Sequence, residues 1–90
     1  MSKYSDYPKR LRVEVLSLGT DSYIREDIKA LTVTLEDGSL LGILPGHAPL
    51  IAATSDSLLR FTDQEGKQEL SVKAGIMSIK NNVVSILTTY

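Results

Sequence analysis

The stretch Met77-Ser78-Ile79-Lys80-Asn81-Asn82-Val83-Val84-Ser85-Ile86-Leu87 decides the fold class. Met77 and Ile79 alternate with Ser78 and Lys80, the period of a strand with one buried face. Asn81-Asn82 suits a tight two-residue hairpin, because asparagine tolerates the left-handed region better than most residues. Val83 to Leu87 is apolar on both faces, as a central or covered strand is. A strand, a tight turn and a second strand in so short a span predict antiparallel β structure.

The same alternation recurs toward the N-terminus. Leu11, Val13 and Val15 alternate with Arg12 and Glu14, and Leu31, Val33 and Leu35 with Thr32 and Thr34. Leu59 and Phe61 alternate with Arg60 and Thr62, and Leu70, Val72 and Ala74 with Ser71 and Lys73. Glu36-Asp37-Gly38 closes one strand, and Asp63-Gln64-Glu65-Gly66-Lys67 reads as a hairpin loop of moderate length. Short strands separated by tight turns predict a sandwich or barrel. One segment fits two readings equally. Ile24, Ile28 and Leu31 stand at i, i+4 and i+7, the spacing of a helix capped by Asp21 or Ser22. In the same segment Ile28 and Ala30 alternate with Asp27 and Lys29, as in a strand.

Bulk properties bound the function. A chain of 90 residues is one domain that buries roughly 60–65% of its unfolded surface. It has no cysteine, so no disulfide staple is expected. A net charge of −1 argues against a nucleic-acid surface or a polybasic membrane anchor. Apolar runs fall far short of the ~20 residues that span a bilayer. Residues 1–9 read as a loose polar tail without the apolar core of a signal peptide, leaving residues 10–90 as the folded domain.

Chemistry-bearing motifs are few. Gly38 and Gly42 flank Ser39-Leu40-Leu41 without the Gly-Lys-Ser/Thr of a phosphate loop. His47 is the chain's sole histidine, too few nitrogen or sulfur ligands for a common zinc site. Asp63, Glu65 and Glu69 lack the spacing of a calcium loop, and the Gly-x-Ser-x-Gly elbow of a hydrolase is absent. No catalytic, metal-binding or cofactor-binding residue is expected. What stands out is Gly42-Ile43-Leu44-Pro45-Gly46-His47-Ala48-Pro49-Leu50, a proline-stiffened turn crowded with apolar residues. Leu40, Leu41, Ile43, Leu44, Leu50 and Ile51 are more than one short strand can aim inward. The corner either caps the open end of a sandwich or meets another protein, and residue physics alone favours neither.

This nine-residue motif resembles the signature of the epsilon subunit family of F-type ATP synthases. Leu11-Arg12-Val13-Glu14-Val15-Leu16-Ser17 is similar to that family's opening strand. Ile24, Ile28, Leu31 and Val33 match its next apolar positions, and Gly75-Ile76 with Val83 to Leu87 its closing strands. The resemblance implies an all-β, antiparallel β-sandwich of about ten short strands, with the ambiguous segment as strand. It further implies a non-catalytic rotor subunit at the foot of the central stalk, coupling rotation of the membrane c-subunit ring to the gamma subunit. The catalytic alpha/beta head would be reached only indirectly, and the domain would lie peripherally at the cytoplasmic face of the cell membrane. On that likeness Leu44, Pro45, Gly46, His47, Ala48 and Pro49 would touch gamma, and Ser39, Leu40 and Leu41 the ring. Two departures accompany it. Gly38-Ser39-Leu40-Leu41-Gly42 lacks the acidic residue the family carries before Ile43 and has one extra position. The sequence ends at Tyr90, where the family continues into a helical hairpin, so the hairpin's inhibitory and nucleotide-sensing roles are not expected of it. A stand-alone β-sandwich binding module is the alternative.

Overall fold

The computed structural model describes residues 9–19 and 22–88. Residues 1–8 of the expected tail over residues 1–9, and the candidate cap Asp21, lie outside them. Among the described residues there are nine strands and no helix. They are β1 (Leu11–Ser17), β2 (Ser22–Ile28), β3 (Ala30–Thr34), β4 (Leu40–Ile43) and β5 (Leu50–Thr54), followed by β6 (Ser57–Asp63), β7 (Gly66–Val72), β8 (Gly75–Lys80) and β9 (Val83–Thr88). A five-stranded sheet runs β2-β1-β9-β8-β5 and a four-stranded sheet β4-β3-β6-β7. The β-sandwich expectation holds. One pair departs from antiparallel: β1 lies parallel to β9.

Period-two patterning aims one face of each sheet inward. Leu11, Val13, Met77, Ile79, Val84 and Ile86 from the larger sheet meet Leu31, Val33, Ile43, Leu59 and Phe61 from the smaller, all buried. Val15, Leu35 and Leu70 pack half-buried at the margin of this core. Ala74 lies beyond the end of β7 and is exposed, so that alternation ends one residue early. Burying a side chain of Leu, Ile or Phe size contributes roughly 1.5–3 kcal/mol, which makes this slab the main stabilising element.

The segment with two readings is strand on both sides of a break, with a bulge in the first strand that puts Ile24 and Ile28 on opposite faces. On β1 the register advances from Leu11 to Val13 while β2 advances from Ile28 to Arg25, one residue more. Asp27 absorbs the extra residue at φ 60, as a β-bulge does. Ile24 therefore points outward and Ile28 into the core. Lys29 then crosses to the other sheet, its N–H donating to the Thr62 carbonyl at 2.7 Å. At another corner β3 and β5 join, Glu36 N–H donating to Ala53 O at 3.0 Å and Ser55 N–H to Thr34 O at 3.2 Å.

The turns follow their residues. Asn81 and Asn82 take φ 52 and 65, the two left-handed corners of a type I′ hairpin. The Asp63–Gly66 turn is tighter than expected: Asp63 pairs directly with Gly66, and the Asp63 carboxylate accepts the Glu65 N–H at 2.8 Å. At the opposite end Thr54 is buried, and its hydroxyl bonds both the N–H and the carbonyl of Gly75 at 3.2 Å.

Gly75 is where β8 and β9 approach most demandingly. A Cβ built there would collide with the Leu87 carbonyl group and reach 3.1 Å from Thr88 Cα, all backbone that cannot swing aside. Gly42, by contrast, has nothing within 4 Å of such a Cβ. Gly75→Ala is expected to lose about 2–3 kcal/mol, a melting-temperature drop of roughly 10–20 °C. Gly42→Ala should stay within about 0.5 kcal/mol of the parent. Thermal denaturation of both variants checks the pair; equal effects would refute the packing account.

Candidate functional site

β4 is an edge of the smaller sheet and β5 an edge of the larger, so the corner Leu44–Pro49 is the crossing between sheets. Ile43 before it is fully buried and Leu50 after it packs on the core. Pro45 fixes the first bend and Gly46 takes φ +89 at the second, with His47 N–H donating to Leu44 O at 3.1 Å. That is a type II turn. His47 Nδ1 lies 2.7 Å from Ala48 O; a carbonyl only accepts, so Nδ1 carries the hydrogen and Nε2 is left for another partner. The Gly46 N–H, aimed away from the turn, donates to Asn82 Oδ1 at 2.7 Å.

Between these anchors the corner faces solvent. Leu44 is 61% exposed, and Gly46, Ala48 and Pro49 are exposed too, while Pro45 and His47 are half-buried. Leu44 closes no core, so capping does not account for it. Ser39, Leu40 and Leu41 do not join this site. Ser39 precedes β4, and Leu40 and Leu41 begin it opposite Thr34 and Val33, whereas Ile43 ends it opposite Leu31, roughly 10 Å from Leu40 at about 3.3 Å per residue. Leu40 is exposed, but Leu41 packs against the core.

The sequence reading missed a broader surface, the outer face of the five-stranded sheet. Register places Ile76 beside Leu87 on β9, and Leu87 beside Leu16 on β1. Ile76 is 53% exposed, Leu87 49% and Leu16 36%; Leu18 beyond the end of β1 reaches 71%, and Ile51, just past the corner on β5, 75%. The signals were present. Val83 to Leu87 is apolar at every position but Ser85, and Ile76 and Leu16 stand out of phase with the inward alternation of their strands. β9 is central as expected, yet among the described residues nothing covers its second face at Leu87.

Farther along that face, beside the exposed Ile24, four polar side chains are tightly paired. Arg12 donates from Nε to Glu14 Oε2 at 2.8 Å and from Nη1 to Glu26 Oε2 at 2.9 Å. Ser85 Oγ donates to Glu14 Oε1 at 3.1 Å. The Arg12 hydrogen bond, helped by Ser85, holds the Glu14 carboxyl below its ordinary value, and Glu14 in turn raises Arg12. Among the described residues no three metal-ligating side chains cluster. Two recesses of about 260 Å³ exist, below the roughly 300–1,000 Å³ of ligand pockets, and His47 lines neither.

Fold and surface thus define a two-sheet β-sandwich domain with an uncovered apolar face and a rigid corner at its margin. Residues 10–89 match the family of the ATP synthase Delta/Epsilon chain, beta-sandwich domain, and the chain belongs to that family. It is similar to the ATP synthase epsilon chain of Leptospira borgpetersenii serovar Hardjo-bovis (strain JB197), with 34% identity over 84 residues, 93% of this chain and 65% of that protein. The epsilon chain of Leptospira interrogans serogroup Icterohaemorrhagiae serovar copenhageni (strain Fiocruz L1-130) is 37% identical over 81 residues, 90% of this chain and 62% of that one. The chain thus spans a little under two thirds of these relatives. Its fold is similar to a chain in the cryo-EM structure of Euglena gracilis mitochondrial ATP synthase, OSCP/F1/c-ring (TM-score 0.77, 19% identity, 92% of this chain and 52% of that chain). Another likeness is to a chain of the Tetrahymena thermophila mitochondrial ATP synthase central stalk/c-ring (TM-score 0.69, 10% identity, 92% and 66%).

The Glu14 network gives a pH signature. Its carboxyl is depressed in the folded state, so its stabilisation is complete above the ordinary value of 4.5 and is lost as pH falls through the lower folded value. Glu14→Gln should therefore melt below the parent at pH 7, with the gap constant down to about pH 5.5 and closing in more acid solution. A gap independent of pH would refute the assignment.

Proposed function

We propose that this domain is a non-catalytic rotor element of a rotary ATP synthase, joining the gamma subunit to the membrane c-subunit ring. Family membership supports the machine. The observation that carries the role is the outer face of the five-stranded sheet, where Leu16, Leu87 and Ile76 adjoin across three strands and Ile51 leads to the corner. An apolar face of that breadth is the mark of a protein-contact site. Gamma is the partner we assign to it, with Leu44, Pro45, Gly46, His47, Ala48 and Pro49 forming the margin of the contact. Each fully exposed Leu or Ile covered on docking would contribute roughly 1.5–3 kcal/mol, less in proportion for half-buried ones.

The ring contact belongs, on this reading, to the turn at the other end of β4. Ser39 and Leu40 face outward there, and Leu41 supports the turn from below. Gly38 to Gly42 lacks the family's acidic residue, but Glu36 and Asp37 stand exposed in the same turn. The Ser39 hydroxyl and amide donate to Asp37 Oδ1 at 2.6 and 2.9 Å and hold its carboxyl below the usual range. Negative charge is thereby kept near the position, available for complementarity with the ring's polar loops. Among the described residues no helix is long and apolar enough to cross a membrane. Attachment through the ring would make the domain peripheral, at the cytoplasmic face of a bacterial-type membrane, and it would meet the alpha/beta head only through gamma.

Binding to purified gamma from the same organism tests the assignment. Leu87→Asp and Ile76→Asp are each expected to weaken the complex tenfold or more, at least about 1.4 kcal/mol. Leu44→Asp and His47→Glu should weaken it as well. Thr32→Asp, on the outer face of the other sheet, should bind as the parent does. Wild-type affinity in both Leu87→Asp and Ile76→Asp, with unchanged melting temperatures, would overturn the proposed face.

A further inference from the structure

The Asn81-Asn82 turn does more than its own geometry requires. A type I′ turn needs residues that accept positive φ, and glycine at its second position does so better than asparagine. What asparagine adds is an amide oxygen. The Asn82 oxygen crosses 36 residues of sequence to accept the Gly46 N–H at 2.7 Å. Its backbone carbonyl meanwhile accepts the Arg12 N–H at 2.8 Å. One residue thus ties the β8–β9 hairpin, the start of β1 and the middle of the corner together.

We infer that Asn82 is a positioning residue that holds the Leu44–Pro49 corner in the shape its partner meets. The inference rests on the reading of the corner as a gamma contact. Gly46 sits at the bend where φ is +89, and being glycine it can leave that conformation at little steric cost. The two prolines stiffen their own positions but not Gly46. The turn's internal bond, His47 N–H to Leu44 O, is long at 3.1 Å, and the Asn82 bond is the shorter of the two. Because it is exposed, its loss should hardly change global stability. It should change how often the corner is ready. A partner that binds only the ready shape loses affinity in proportion to the fraction of time that shape is populated.

Asn82→Gly separates the two roles, since it suits the turn and deletes the oxygen; Asn82→Asp keeps an acceptor and tolerates positive φ. Asn82→Gly should melt at or above the parent's temperature, speed hydrogen exchange at the Gly46 amide about tenfold, and weaken gamma binding about five- to tenfold. Asn82→Asp should stay near the parent in all three. Unchanged Gly46 exchange in Asn82→Gly would overturn the clamp outright. Parent-like binding by Asn82→Gly, while Leu44→Asp binds weakly, would overturn the positioning role and leave the corner as a contact. Parent-like binding by Asn82→Gly, Leu44→Asp and His47→Glu together would remove the corner from the interface, and the inference with it.

Discussion

Between β1 and β9 the chain lays its two ends side by side, in register from Arg12 and Val83 to Ser17 and Thr88. Everything on the larger sheet depends on that parallel pairing. Without β1, the central strand would lose half its ladder and Val84 and Ile86 would lose Leu11 and Val13 as neighbours in the core. The N–H of Arg12 bonded to Asn82 fixes where the pairing starts, and the bulge at Asp27 fixes how β2 continues beyond it. Such a contact is maximally non-local, so its loop-closure entropy is opposed before the core rewards it. Closing the β1–β9 pairing is therefore the step in this sheet that spans the most chain.

That outer face carries exposed apolar surface on a β protein, the composition most prone to self-association. Two features confine the hazard. The free edges are charged: Arg25, Glu26 and Asp27 lie exposed on β2, and Lys67 and Glu69 on β7. Charged edge strands resist edge-to-edge pairing. The remaining pair of edges, β4 and β5, is bridged by the corner itself. Across the face, Arg12, Glu14, Glu26 and Ser85 form a bonded polar field next to the apolar row. Exposed ion pairs add little to stability; in the proposed contact their weight would be in register, because charge as well as apolar surface would have to match.

Much of this was legible in the residues. Two-residue alternation found the inward set on β1, β3, β6, β7 and β8, the unbroken apolar run of Val83 to Leu87 gave β9 as a central strand, and Asn81-Asn82 gave its hairpin, because each follows from local sterics. The segment from Ser22 to Leu31 was not legible. The bulge at Asp27 puts Ile24 outward and Ile28 inward, so their i, i+4 spacing marks no common face, and no local signal announces the bulge. The site was half legible. The corner declared itself through Pro45, Gly46 and Pro49, but the apolar face did not, since whether Leu87 or Ile76 is covered depends on packing that no single strand encodes. Ser39 and His47 are close in sequence yet stand at opposite ends of β4, and only topology separates them.

The corner's rigidity has a consequence for any load it bears. Ordering a loop at the moment of association subtracts from affinity, and a stiff loop avoids that loss. Here the restraints come from different sources: proline rings at Pro45 and Pro49, the turn bond from His47 to Leu44, the His47 ring against Ala48 O, and Asn82 from another hairpin. The first three are local and would persist in an isolated peptide only in part. The last exists only once the β8–β9 hairpin lies beside β5, so the corner takes its final shape when those strands pair. A surface whose final shape draws on pairing among β5, β8 and β9 takes its stiffness from the sheet beside it as well as from its own residues.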